Sequence, residues 1–428
     1  MASEARRLIL EQSCPNGHLL SSQSSRDWLT SREGPIIHVP KHEMDDLDRL
    51  IGPDRRWLAN WLEVAVCSIG ILTAVGLAVL WPRSRPDFEL AAIGFADAVV
   101  PAEVTSASDS ACSYAPELRC RTVIFGLTDG SNDVAFQEFD ESPTAPRLEV
   151  GDRVVLNVIN NADPLFRYHY ADRDRRPLLA VVAVGFAIAV IGLGRLRGLA
   201  ALVGLLASVA ILLWFVAPAI LAGRDPVAVA AVGGSAIALL ALYLTHGWRT
   251  TTHVAAIGTF AALALTMVLS WLVTPAAAFS GFASEESLFL ALLEGVQIPG
   301  LVLAGAILGA IGALDDVTVT QVSTVFELRR ADPGQSSHQL YYAGLRVGRD
   351  HIASTINTLL LAYAGASMPL LLLLTLSNLS LSMVVNSEVV AVEIVRTIVG
   401  SIGLVAAVPI TTFLAARAAT LRPLRPSL

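Results

Sequence analysis

Residues 294–330 read EGVQIPGLVLAGAILGAIGALDDVTVTQVSTVFELRR, and residues 348–365 return to the same character with GRDHIASTINTLLLAYAG. A glycine-rich apolar run ends on two adjacent carboxylates, Asp315 and Asp316. It then passes through Thr, Gln and Ser to Glu327, Arg329 and Arg330. About 20 apolar residues cross a hydrocarbon core as helix, so this stretch reads as a membrane segment with acids set against it. Nothing else in the chain is so apolar and so acidic at once.

The composition agrees. Hydrophobic residues make up 54% of 428 positions, charged residues 16%, and the mean hydropathy is +0.59, whereas soluble chains carry about a quarter charged. Backbone groups in lipid must pair within the segment, so the apolar runs are helices. Eight are expected: Val64–Trp81, Leu178–Gly194, Leu199–Leu221, Val227–Thr245, Val254–Thr274, Gly295–Leu314, Ile352–Leu376 and Thr397–Ala416.

The expected fold class is therefore mainly α, a polytopic membrane helix bundle of about eight transmembrane helices. It carries one small extracytoplasmic all-β domain, OB-like or hammerhead-like. Residues 1–56 are polar and broken by Gly and Pro, and read as a disordered cytoplasmic tail. Cys14 and His18 within them lack the second pair that a structural zinc needs. Residues 57–81 hold the first span, and more than fifty residues before it argue against a cleaved leader. Residues 82–176 alternate in β fashion through RTVIFGLTDG, VAFQEF and RLEVGDRVVLNVIN. Helices two to five occupy 177–274. Helices six to eight, with re-entrant or amphipathic pieces and a cytoplasmic C-terminus, occupy 275–428.

Arginine sets the orientation. Arg55, Arg56, Arg195, Arg197, Arg249, Arg329, Arg330, Arg346, Arg349, Arg417, Arg422 and Arg425 flank one side, against Arg83, Arg85, Arg173, Arg175, Arg176 and Arg224 on the other. The richer side is the cytoplasm, so both termini are inside and the β domain is outside. Cys112 and Cys120 then sit in an oxidising compartment and are expected to pair as a disulfide.

Ionisable groups in a bilayer cost about 3 kcal/mol on insertion scales, and their presence calls for a partner, a watery cavity or a function. The candidates are Glu294, Asp315, Asp316, Asn357, Glu388, Glu393 and Arg396. Two readings of the acidic pair stand side by side. In one, Asp315 and Asp316 cap a following cytoplasmic helix. In the other, Ser287–Leu328 is a helix broken at Pro299-Gly300 or Gly312, which brings both acids into the membrane as a site. Gly305 and Gly309 form GxxxG, a helix-packing notch. Tyr341, Leu345, Gly348 and Ile352 recur at helical spacing after the ADPGQSS turn, so the segment up to Ile352 reads as two surface helices. Glu393 and Arg396 suit an i,i+3 ion pair. His246 and His253, in HGWRTTTH, read as a solvated turn.

GALDDVTVTQ, GRDHIASTINTLLLAYAGASMPLLLL and EIVRTIVGSIGLVAAVPITT together resemble the YibE/F family of bacterial multi-pass membrane proteins, in its actinobacterial form. The likeness extends to LTDG, VGDRV, GRLRG, PAILAG and LTHG. It implies an integral protein of the bacterial plasma membrane with an extracytoplasmic β domain, and names no activity.

There is no Walker loop, HExxH, GxSxG or zinc cysteine set, so neither an enzyme nor a cofactor is expected. The net charge of −7 comes from the polar segments and implies no nucleic-acid partner. The leading expectation is a permease-like protein moving a small solute or ion, with Asp315 and Asp316 as the site and Asn357 as a facing polar partner. Glu294, Glu393 and Arg396 complete the candidate set, and the metal, if one binds, is open. The competing expectation is a membrane scaffold whose β domain binds an extracytoplasmic protein, or a homo-oligomer.

Overall fold

A computed structural model describes residues 52–83, 98–128, 133–159, 163, 167–282, 285–293, 295–376 and 380–421. The expected disordered tail lies almost wholly outside the described residues. The order is α1 (Gly52–Leu80), β1 (Ala98–Ala111), β2 (Arg119–Leu127), β3 (Val134–Asp140), β4 (Arg153–Val158), β5 (Tyr168–Arg173), α2 (Arg176–Ile211), α3 (Pro226–His246), α4 (Thr250–Ala276), α5 (Glu285–Ala291), α6 (Ile298–Ala331), α7 (Ser337–Ala366), α8 (Met368–Leu376), α9 (Leu381–Asn386) and α10 (Glu388–Leu421). A π turn at Leu212–Val216 and a last turn at Ala217–Leu221 prolong α2.

Among the described residues, six helical runs are long and apolar enough to cross a bilayer, or seven when α7 and α8, bent by 68°, count as one span. The run Arg176–Leu221 has 46 residues, which would reach about 69 Å if straight, more than twice a hydrocarbon core. It is not straight. Arg195 adopts φ 51, ψ −128, and a side chain on Gly198 would overlap the carbonyl of Val190. Eight residues of straight helix would hold those groups about 12 Å apart. The chain therefore reverses at Arg195 into two limbs, and Gly198 permits the close return.

The β segment forms one antiparallel sheet in the order β3-β2-β1-β4-β5. Alternation buries Val104, Val123, Phe125, Val154 and Leu156 on its inner face together with Leu148. Register shifts between Val104 and Ser106 and between Val155 and Leu156 bend the strands. The two edges consequently approach each other: the Tyr170 amide donates to Gln137 Oε1 at 2.7 Å, and Phe139 meets Tyr170 edge-on at 5.7 Å. The sheet is thus a curled half-barrel. Cys112 and Cys120, both buried, are joined by a disulfide that closes the β1–β2 connection.

In the bundle, α4, α6, α7 and α10 pack around buried Ala262, Ile307, Leu314, Val317, Leu404 and Val408. Leu62 and Val66 of α1 cluster with Leu242 of α3, Val254 of α4, Val325 of α6, Leu340 of α7 and Ala416 of α10. Leu77 and Leu80 instead meet Phe215, Val216 and Val229. Successive long helices therefore alternate in direction.

The Ser287–Leu328 unit does break, between α5 and α6 just before Pro299, but the break leaves the acids inside a continuous helix. From Ile298 to Ala331, α6 is one unbroken helix of 34 residues, so the acids neither cap an end nor flank a break. Pro299 sits in the first turn, where no donor is missed. Gly312 has open space beside it and costs about 1 kcal/mol relative to Ala, too little to break a helix whose backbone has no water to turn to. The ADPGQSS turn does separate α6 from α7, with Ser336 and Gln339 forming a capping box. Beyond it α7 does not stop at the membrane surface; the amphipathic piece and the next span are one helix of 30 residues.

Candidate functional site in the membrane

Adjacent residues on a helix point about 100° apart, so Asp315 and Asp316 face different surroundings. Asp315 is half-buried, and its Oδ1 has neither solvent nor a hydrogen-bond partner. It borders a cavity of about 460 Å³ between the second limb of α2, α3 and α6, which Ser208, Thr245 and His246 also line. Asp316 is 67% exposed and lies 3.8 Å from His351 Nε2. The two acids thus meet different neighbours.

Depth follows from length. A 34-residue helix is about 51 Å long, and a crossing needs about 20 residues, so a span beginning at Ile298 is complete near Val317. For a crossing that begins at Ile298, Asp315 would fall just inside one boundary of the core and the charged end Glu327–Arg330 would project beyond it. An unpaired carboxylate oxygen held there is costly.

A second polar cluster lies further along α6. Arg396 Nη1 contacts Glu393 Oε1 at 2.6 Å on α10. A side chain on Gly305 would meet Arg396 Nη2 at 3.2 Å, and one on Gly309 would meet the Tyr363 hydroxyl at 2.6 Å. The GxxxG notch, expected to admit a neighbouring helix, receives a polar side chain from each of two neighbours, α10 and α7. Tyr363 was not flagged by the sequence, although a tyrosine inside LLLAYAG is the kind of signal that finds such a residue.

Past Asp315, toward the end of α6, lies a buried polar seam that the sequence reading missed. Thr259 of α4 and Thr318 of α6 share a hydrogen bond of 2.7 Å. Gln321 Nε2 donates to the Gly344 carbonyl at 2.8 Å and to Thr412 Oγ1 at 2.7 Å. Glycine at 348 leaves room for the amide, and glycine at 344 for the Thr412 and Val325 methyl groups beside it.

The remaining candidates separate. Asn357 is exposed and makes no hydrogen bond among the described residues, so it is not the partner of Asp315. Glu294 lies outside the described residues. Glu388 accepts from Ser280 Oγ and the Gly281 amide, both at 2.7 Å, and ties α10 to the loop after α4. His253 is buried rather than solvated: its Nδ1 lies 2.8 Å from the Tyr243 hydroxyl and its ring stands edge-on to Trp248. Among the described residues no group of three or more His, Cys, Asp or Glu is placed to hold a metal.

Comparison with known proteins adds the family. No curated protein and no solved structure matches the chain. The family model described as YibE/F-like protein matches residues 182–421, from the first limb of α2 to the end of α10 and more than half of the 428 residues. Both polar sites and the seam lie within that match, and the β domain precedes it. The chain belongs to the YibE/F family of multi-pass membrane proteins.

Proposed function

We propose that this chain is permease-like and moves a small ion or solute through the cavity at Asp315. The observation that carries the reading is that Asp315, whose Oδ1 is buried without a hydrogen-bond partner, lines a cavity of about 460 Å³. A carboxylate there selects against anions. With a single acid, hydroxyls and an imidazole around it, the site suits a proton or a monovalent cation better than a divalent metal, which takes six or more oxygens with several carboxylates. Asp316, paired loosely with His351 at the surface, is outside this path, and Glu393–Arg396 holds α10 against α6.

The architecture we propose has eight crossings, counting the limbs of α2 separately and α7 with α8 as one bent span. Both termini are cytoplasmic, the membrane is the bacterial plasma membrane, and the β domain is extracytoplasmic. Its strand order, with β3 and β5 approaching as the closing edges, supports an OB-like barrel. We assign no catalytic step.

The test is ion flux in vesicles containing the purified protein and a pH-sensitive or sodium-sensitive dye. Wild type is expected to dissipate an imposed gradient of one cation while Asp315→Asn, inserted normally, does not. Equal flux from both proteins contradicts the reading. The scaffold alternative draws support from Tyr114, Leu118, Val134 and Phe136, large apolar side chains 49–65% exposed on the β domain. A specific extracytoplasmic partner captured by wild type and lost on Tyr114→Ser/Phe136→Ser, with no flux from either, favours it.

A further inference from the structure

The second half of the bundle is built from two like units. Helix α4 ends at Ala276 and α7 at Ala366, and α6 spans Ile298–Ala331 while α10 spans Glu388–Leu421, each boundary ninety residues after its counterpart. Burial repeats at the same interval. Leu314, Val317, Thr318, Gln321, Val322 and Val325 are buried on α6, and Leu404, Ala407, Val408, Thr411, Thr412 and Ala415 on α10. The close approaches are exchanged between the units: Gly258 of α4 makes room for Thr411 of α10, and Gly348 of α7 makes room for Gln321 of α6. Helices α6 and α10 run in the same direction, so the units are related by a pseudo-two-fold axis along the helices.

One helix breaks the symmetry. In the first unit α3 covers the outer face of α6, where Gly234 takes the side chains of Ile311 and Leu308, and Pro226 sits over Gly300. The counterparts on α10 are Ser401, Ile398 and Val390, and among the described residues no helix packs over them as α3 packs over α6. Ile398, Ile402 and Val405 are 44–53% exposed, and Ser401 Oγ is buried without a partner. A hollow of about 390 Å³ opens there between α10, α7 and α8.

The same chain carries a helix of matching kind that, among the described residues, is left largely uncovered. The first limb of α2 is exposed on almost every face, with Leu178, Val181, Val184, Phe186 and Ile188 at 52–70%. Pro177, Gly185, Ala187, Ile188, Ala189 and Leu193 recur forty-nine residues later as Pro226, Gly234, Ala236, Ile237, Ala238 and Leu242 of α3. Gly185, the counterpart of the notch residue Gly234, has nothing within 4 Å. Because α2 reverses at Arg195, this limb runs in the same direction as α3, α6 and α10. Small residues on such a face let helices approach closely in lipid.

We infer that two copies of this chain associate in the membrane about a two-fold axis, the first limb of α2 from each docking on the α10 face of the other as α3 docks on α6. The contact is self-complementary and closed, as a two-fold interface requires.

The experiment uses full-length chains with Cys14→Ser and Cys67→Ser, which removes the thiol of the N-terminal segment and the exposed thiol of α1 and leaves the Cys112–Cys120 disulfide. Two differently tagged chains are co-expressed, one with Gly185→Cys and one with Ile398→Cys, and membranes are oxidised and run without reductant. A covalent species carrying both tags is expected. Ile191→Cys, the counterpart of the outward-facing Leu240, is expected to give none with Ile398→Cys. Native mass measurement of the protein without added cysteines is expected to give a dimer, reduced to monomer by Gly185→Trp. A monomer with no mixed-tag species, or a monomer retaining a lipid in its place, overturns the inference, as does equal cross-linking from residues 185 and 191. None of these outcomes depends on ion flux through the Asp315 cavity.

Discussion

Gly403 on α10 faces Thr266 on α4, and a methyl group at 403 would overlap the Thr266 hydroxyl. The next nearest atoms, Thr266 Cβ at 3.4 Å and Ala262 O at 3.7 Å, are at ordinary contact distance. The hydroxyl does not swing aside freely, because Thr is stiff at χ1 and its Oγ1 donates to the Ala262 carbonyl at 3.0 Å. Overpacking of this kind costs about 1–3 kcal/mol, and replacing Gly by Ala inside a helix returns about 1 kcal/mol. Gly403→Ala alone is therefore expected to destabilise by about 1 kcal/mol. In a Thr266→Ala background the overlap is gone and the same change is expected to stabilise by about 1 kcal/mol, a coupling of about 2 kcal/mol between neighbours. Unfolding by SDS in mixed micelles, followed by tryptophan fluorescence, measures all four proteins. If the two changes add within about 0.5 kcal/mol, the approach of α4 to α10 is not as described.

Gln321→Leu removes two buried hydrogen bonds and is expected to cost about 1–2 kcal/mol in the same assay, at the modest worth of such bonds in membranes; no loss would mean that the amide is not bonded to Gly344 and Thr412. Replacing both Cys112 and Cys120 by Ser opens a short loop and is expected to weaken the β domain by about 2–3 kcal/mol, read as faster proteolysis between residues 98 and 173 in the intact chain. Asp174, between β5 and α2, is held down at about 2 by hydrogen bonding to Arg176, against an ordinary value of 3.8. A depressed carboxyl stabilises the fold above its unfolded pKa, so this contribution is present above about pH 4 and is lost as pH falls from 4 toward 2. Asp174→Asn is expected to flatten the decline in thermal midpoint across that window, and an unchanged profile would remove Arg176 as the cause.

The membrane class, the turn at 332–336 and the β segment were legible because each rests on a local signal: run length, Pro-Gly chemistry and alternation. The unbroken course of α6 was not. Gly and Pro mark breaks in water, but in lipid the backbone has no alternative partner, so Pro299 starts the helix and Gly312 is carried inside it. The sequence also drew attention to Asp315 and Asp316 together, whereas successive helical residues diverge, and burial assigns the cavity to Asp315 alone. Asn357 was chosen for its type on a facing helix, and its direction depends on how α7 is rotated against α6, which spacing alone leaves open. Tyr363 and Gln321 act through glycine notches on a different helix or at a distant position, contacts that no local pattern announces.

The measurement closest to the central claim is thermal unfolding of the detergent-purified protein across pH and a panel of Na⁺, K⁺, Mg²⁺ and Ca²⁺, with Asp315→Asn and Asp316→Asn run beside wild type. A ligand that binds only the folded protein adds about 2.7 kcal/mol at a hundredfold excess over its dissociation constant, enough to move the midpoint. The account predicts that one monovalent cation, or the proton, stabilises wild type and Asp316→Asn but not Asp315→Asn. A shift that survives Asp315→Asn, or that is lost equally in both variants, contradicts the assignment of the site to Asp315.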